Sequence, residues 1–142
     1  MAKINKSIEI KAPAEKVFAY AANPMATPEW IVGMMEVSDV IGSGEDMRFS
    51  WKYKMLGIPF PGQTVRTGYV LNERIVDESK DGIPSKLTWT FAPIDGGTKV
   101  EAEIEYTIPV PVLGKMAEKL VLKRNEREVD MWMENLKERL EV

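Results

Sequence analysis

From Met47 to Met55 the chain alternates without a break. Met47, Phe49, Trp51, Tyr53 and Met55 share one parity, and Arg48, Ser50, Lys52 and Lys54 share the other. Successive strand side chains point to opposite faces, so a period of two with this contrast dictates a β-strand with one dry face and one wet face. The pattern recurs along the chain. Ile4, Ile8 and Ile10 oppose Asn5, Glu9 and Lys11, while Met35, Val37 and Val40 begin a further strand before a turn at 42–46. Gln63 to Ser79 carries Val65, Thr67, Tyr69 and Leu71, with Gly68 as a candidate bulge. Leu87, Trp89 and Phe91 alternate with Lys86, Thr88 and Thr90, and beyond the turn at 95–97 Val100, Ala102, Ile104, Tyr106 and Ile108 oppose Glu101, Glu103 and Glu105. Strands wet on one side and dry on the other belong to an antiparallel sheet covered on one face only.

The cover is legible at the C-terminal end. Lys115 to Glu141 contains neither Gly nor Pro and is dominated by strong helix formers. At 1.5 Å per residue this is a helix of roughly 40 Å, as long as a domain is wide. Its apolar residues do not form one stripe. Leu113, Met116, Ala117 and Leu120 lie on one side, and Val129, Trp132, Met133, Leu136 and Leu140 lie nearly opposite. Either the helix kinks near Asn125 or its halves face different surroundings. Ahead of the main run of strands, Pro13 in a first helical turn opens a short helix through Ala14, Val17, Phe18 and Ala21, which Asn23 and Pro24 stop. A second short helical piece is expected around Pro28 to Ile31. The prediction is an α+β fold: a curved antiparallel sheet, six strands by periodicity alone, around one long terminal helix.

Composition narrows the chemistry. The 142 residues include no Cys and no His, which removes disulfides, thiol or imidazole catalysis and the usual zinc ligands. Metal and cofactor are therefore not expected. A net charge of -3 lacks the positive field that nucleic-acid binding needs. No run approaches the ~18 apolar residues of a membrane span, and the first residues lack a signal peptide's apolar block, so a soluble cytoplasmic protein of one domain, 1–142, is expected.

The segment from Ile8 to Pro24, IEIKAPAEKVFAYAANP, followed by PEWI at Pro28 to Ile31, resembles the opening of the START-like, Bet v 1-like superfamily, in particular its polyketide cyclase/dehydrase-type branch. The turn DGGTKV at Asp95 to Val100 and the ending LKERLE at Leu136 to Glu141 are similar too. The resemblance spans the whole chain and implies a helix-grip fold with an apolar cavity between sheet and long helix. It also implies seven strands, with Gln63 to Ser79 divided in two. The apolar connections 55–62 and 109–114 would then lie at one end. Leu56, Ile58, Phe60, Val110, Val112 and Leu113 would form a rim around the cavity mouth.

Within that frame, the candidate ligand-binding residues are Trp30, Met35, Phe49, Trp51, Tyr53, Tyr69, Trp89, Phe91, Tyr106, Met116, Leu120 and Arg124. Ordinary core packing explains any single aromatic among them. Three tyrosines on a dry face carry more weight, because each buried hydroxyl needs a partner that a wet or liganded cavity supplies. Trp30 either roofs the cavity or plugs the short helices onto the sheet. The methionines either fill gaps or line an adaptable site. Arg124, on the Met116 and Leu120 side, is expected to reach an acidic head group, or else to belong to a solvated, charge-interleaved face. No two of Glu29, Glu73, Asp77 and Asp130 are forced together by spacing, so paired-carboxylate chemistry is unsupported and no catalytic residue is assigned. The leading expectation is the binding of a small hydrophobic or amphipathic ligand, such as a lipid, isoprenoid or polyketide-like molecule. The alternatives are a cyclase or dehydratase using the same cavity, and an interaction module, a homodimer or a membrane-surface contact, docking through 55–62 and 109–113.

Overall fold

The computed structural model describes residues 1–109 and 114–141. Among them, seven strands form one antiparallel sheet: β1 (Ala2–Ile10), β2 (Met34–Ile41), β3 (Arg48–Met55), β4 (Ile58–Val70), β5 (Arg74–Ser79), β6 (Ser85–Ile94) and β7 (Gly97–Tyr106). Strands β2 to β7 run as a meander, and β1 closes against β7, giving the order β1-β7-β6-β5-β4-β3-β2. Strands β1 and β2 are thus the two edges. The chain between them crosses the sheet as helix α1 (Ala14–Ala21) and a 3₁₀ helix (Pro24–Glu29). Pro13 is the N-cap of α1 rather than a member of its first turn. The 3₁₀ helix begins earlier than the pattern around Pro28 indicates, because the Asn23 side chain accepts from Met25 N and starts it there.

Helix α2 (Lys115–Leu140) runs unbroken across the covered face. Its buried stripe is Val121, Asn125, Val129, Trp132, Met133, Leu136 and Leu140, a succession of three- and four-residue steps that lies along one face without a kink. Of the two alternatives for its split apolar pattern, different surroundings is the one observed: Met116 and Leu120 are 81% and 69% exposed. The helix is tied to the crossing segment by Trp132 Nε1 donating to Val32 O and Asn135 Nδ2 donating to Trp30 O, each at 3.1 Å.

Two corrections concern β4. The segment 55–62 is not a loop. Leu56 and Gly57, both at positive φ (53° and 78°), make a two-residue hairpin turn, and Ile58 to Gly62 pair with Met55 to Trp51. Pro59 and Pro61 are tolerated because they share parity with Gln63, whose N–H points away from β3 to Asp81 Oδ1. The dry face of β4 is also the other one: Gly62, Thr64 and Arg66 are buried, Val65 is half-buried and Thr67 is exposed. A register shift between Arg66 and Gly68 then turns Tyr69 back inward, against Phe18.

Candidate functional site

Between the sheet and α2 lies a cavity of about 140 Å³. Its wall is built by Phe49, Trp51, Tyr53 and Met55 of β3, Thr64 and Arg66 of β4, Ile75 and Asp77 of β5, Leu87 and Trp89 of β6, Ile104 and Tyr106 of β7, and Asn125, Val129 and Trp132 of α2. Ala21, Thr27 and Ile31 close it from the crossing segment, and Met34 from the start of β2. Strand parity explains this membership. Phe49, Trp51, Tyr53 and Met55 are alternate residues of one strand, and each points at the helix.

The indole of Trp51 lies directly over Gly62, at a distance where any Cβ at 62 would overlap it. That close approach lets Trp51 Nε1 donate to Thr64 Oγ1 at 2.9 Å, so this wall tryptophan is both packed and satisfied. Trp132 meets Tyr53 edge-on, with ring centroids 6.2 Å apart.

Two polar clusters interrupt the apolar wall. In the first, Arg66 and Asp77 sit opposite each other across β4 and β5. Arg66 Nε and Nη2 donate to the two Asp77 carboxylate oxygens at 2.8 and 3.1 Å, and Nη1 donates to Ala22 O at 2.9 Å. The Arg66 side chain is 3% exposed and that of Asp77 15%, so this bidentate pair is largely buried, and it anchors the end of α1 to the sheet. In the second, Asn125 Nδ2 donates to the Tyr106 hydroxyl at 2.6 Å and faces Met55 Sδ at 3.9 Å. Tyr53 precedes Met55 on the same face of β3, and its hydroxyl makes no hydrogen bond among the described residues. Burial, then the Glu128 carboxylate and neighbouring Tyr106, push the Tyr53 phenol well above its ordinary value. Burial likewise raises Tyr106, against the lowering effect of its bond from Asn125, and Glu126 and Glu128 add to the rise. Both phenols are neutral donors at physiological pH.

Of the residues singled out from the sequence, Phe49, Trp51, Tyr53, Trp89 and Tyr106 are in the wall. Trp30 is buried outside it, edge-on to Trp89 at 5.4 Å, and its Nε1 is unpartnered among the described residues. Tyr69 and Phe91 clasp Phe18 at 5.6 and 5.2 Å, as core beneath α1. Met35 is 51% exposed, on the outer parity of edge strand β2, where Met34 is the inward neighbour. Met116, Leu120 and Arg124 also lie off the cavity. Arg124 is on the solvent side of α2 and bonds Glu128 at 3.4 Å, because the residue that points inward on that turn is Asn125. Of the proposed rim, Leu56 and Phe60 pack against the core and Ile58 is exposed, while Val110, Val112 and Leu113 lie outside the described residues. Pattern reading missed Thr64, Arg66 and Asn125 as wall residues, and weighed Asp77 only as a carboxylate candidate for acid/base chemistry. Among the described residues, no three acidic, His or Cys side chains converge as a metal-ligand set.

A seven-stranded antiparallel sheet gripping a long terminal helix over an apolar cavity defines the helix-grip class. The chain belongs to the family described as polyketide cyclase / dehydrase and lipid transport, whose model matches residues 1–141. Among solved structures, it is similar to a protein from Thermus thermophilus at 23% identity and a TM-score of 0.85, covering 97% of this chain and 96% of that one. It is similar to a START superfamily protein from Mycobacterium smegmatis at 16% identity and 0.79, covering 99% and 98%. The Zhui aromatase/cyclase from a Streptomyces species is similar at 11% identity and 0.76, covering 98% and 93%. These likenesses establish the shared fold. No curated protein sequence matches the chain. No helix among the described residues is long and apolar enough to cross a membrane.

Proposed function

We propose that this protein binds a small hydrophobic or amphipathic molecule in the cavity between sheet and helix, as a single START-like ligand-binding domain over 1–142 working in the cytoplasm. The observation that carries the reading is the void itself. Folded interiors are close-packed, so about 140 Å³ left open beside four aromatic wall residues of β3 and β6 is a departure from normal packing. The polar groups in the wall are few and convergent, as orienting groups in ligand sites are.

Burial supplies the affinity. An aromatic ring presents about 150–250 Å², and at roughly 25 cal/mol per Å² its burial contributes about 4–6 kcal/mol, a dissociation constant in the millimolar to tens-of-micromolar range. Native mass spectrometry of the freshly purified protein, with thermal shift against a mixed lipid extract, tests this. Bound small-molecule mass, or a stabilisation lost on filling the cavity with Val129→Phe, supports the proposal; an empty protein stabilised by no compound refutes it.

The cyclase or dehydratase alternative is less well supported by the geometry. Tyr53 and Tyr106 line the cavity as neutral phenols, but Asp77, the one carboxylate in the wall, has both oxygens engaged by Arg66 and is poorly placed to take a proton. Docking of a second copy or a membrane surface through 55–62, where Ile58 is exposed, and 109–113 is the third reading, and concentration-dependent association abolished by Ile58→Asp would favour it over the carrier.

A further inference from the structure

We infer that the first half of α2 docks on an anionic lipid surface, through a solvent-side arc formed by Met116, Lys119, Leu120, Lys123, Arg124 and Arg127. The inference stands apart from the cavity reading and holds whether or not a ligand occupies that space.

Helical geometry sets the arc. At about 100° per residue these six side chains span roughly 140° and lie opposite the buried stripe through Val121, Asn125 and Val129. No other residue between Met116 and Arg127 falls within it, so it holds two apolar side chains, four cations and no acid. Met116 and Leu120, one turn apart, are 81% and 69% exposed, more than any other large apolar side chain of the described residues except Met1.

Beyond Arg127 the same arc changes sign. Asp130, Glu134 and Glu138 follow on it, with Met131 and with Lys137, which Glu141 holds at 2.8 Å. One helix therefore shows solvent a basic half set with apolar side chains and then an acidic half. Glu118, Glu126 and Glu128 flank the basic half but are only half-exposed, and Glu128 is paired with Arg124 at 3.4 Å. Lys119, Lys123 and Arg127 join no ion pair among the described residues.

The mixture selects the partner. A nucleic-acid backbone would satisfy the cations, but it offers nothing to a Met and a Leu raised among them. At a bilayer interface Lys and Arg reach the headgroups along their methylene stems, while apolar side chains beside them enter the acyl boundary. The lipid must be anionic. Two apolar side chains bury too little to hold the chain there alone, and the cations contribute only against a negative surface potential.

The test is co-sedimentation of the full chain with phosphatidylcholine vesicles, with and without about a third phosphatidylserine. Binding is expected only to the anionic vesicles and should fall as salt is added. Lys119→Gln combined with Lys123→Gln should weaken it about twentyfold, at about fivefold per cation. Leu120→Ser should weaken it about tenfold. These positions are exposed, so the thermal midpoint should stay unchanged in each variant. Glu134→Gln with Glu138→Gln, on the acidic half, should bind at least as tightly as the parent. Absence of binding to anionic vesicles, or equal binding to both compositions, overturns the inference. Binding that the lysine pair abolishes but Met116→Ser with Leu120→Ser leaves intact also overturns it, in favour of a polyanion without an apolar layer. Concentration-dependent dimers lost on Leu120→Ser, with vesicles ignored, would assign the face to a second copy of the chain instead.

Discussion

Arg66 with Asp77, and Tyr53 with Tyr106 and Asn125, are polar clusters facing one apolar cavity, and they differ in what each leaves over. The first is nearly closed. Both carboxylate oxygens are occupied, and the guanidinium spans β4, β5 and the end of α1. The second is open: one short bond joins Asn125 to Tyr106, and the Tyr53 hydroxyl is unengaged among the described residues. A buried group whose valences are filled by its own chain holds that chain together. One whose valences are unfilled lowers stability slightly and is available to something that comes later. The contrast separates residues that build the cavity from residues that read what enters it.

The largest expected effect is on the closed cluster. Arg66→Met leaves the Asp77 carboxylate buried beside apolar groups, and Asp77→Leu strands the guanidinium. Each should cost about 3–5 kcal/mol, a large part of a typical domain's stability. The double variant should recover most of that loss, since replacing both partners removes the stranded charge. Urea midpoints of the four proteins measure this. Single variants within about 1 kcal/mol of the parent would mean that the pair does not hold β4, β5 and α1 together.

Next in size is Tyr106→Phe, which removes the acceptor of the Asn125 amide. A buried N–H left without a partner costs about 1–3 kcal/mol, less than stranding a charge. The same tyrosines also set an alkaline limit. In the unfolded chain they ionise near 10.0, while in the folded protein Tyr53 and Tyr106 are held higher by burial, and Tyr20 is pushed up to about 12 by burial and its bond to Glu29. The native state therefore keeps protons that the unfolded state releases. Stability is unaffected below pH 10 on this account and falls as pH rises past it. Urea midpoints taken from about pH 8 to about pH 11 should show that fall, shallower in Tyr53→Phe; an identical slope in both would show that Tyr53 ionises as if exposed.

These groups also mark the limit of what the sequence discloses. Strands β3, β6 and β7 were readable because their inward parity is apolar: Phe49, Trp51 and Tyr53, then Trp89 and Phe91, then Val100, Ala102 and Ile104. The same rule chose the wrong face of β4. There Thr64 and Arg66 point inward, and Val65 and Thr67 supply the apolar or β-branched parity that mimics a core face. Arg124 drew attention in α2 because it is charged beside apolar neighbours, yet Asn125, one residue on, is the buried one. Its spacing of four from both Val121 and Val129 was the available signal. Hydrophobic period identifies what a fold buries by default; a polar residue buried for a reason looks, by that measure, like surface.

The smallest stability change is expected at Tyr53, where the comparison is sharpest. Tyr53→Phe keeps the ring, its edge-on contact with Trp132 and its packing over Gly33, and removes an oxygen that bonds nothing among the described residues. Stability at pH 7 should therefore change by no more than about 0.5 kcal/mol, because the hydroxyl holds no other part of the chain. A core tyrosine that bonded its own chain would lose about 1 kcal/mol or more on the same change. A clear loss of stability on thermal or urea unfolding would mean that the hydroxyl is already spent inside the protein, and the open cluster would then be structural like its neighbour. An unchanged midpoint, together with a weaker grip on a ligand bound in the cavity, would place the value of that oxygen in binding rather than in folding.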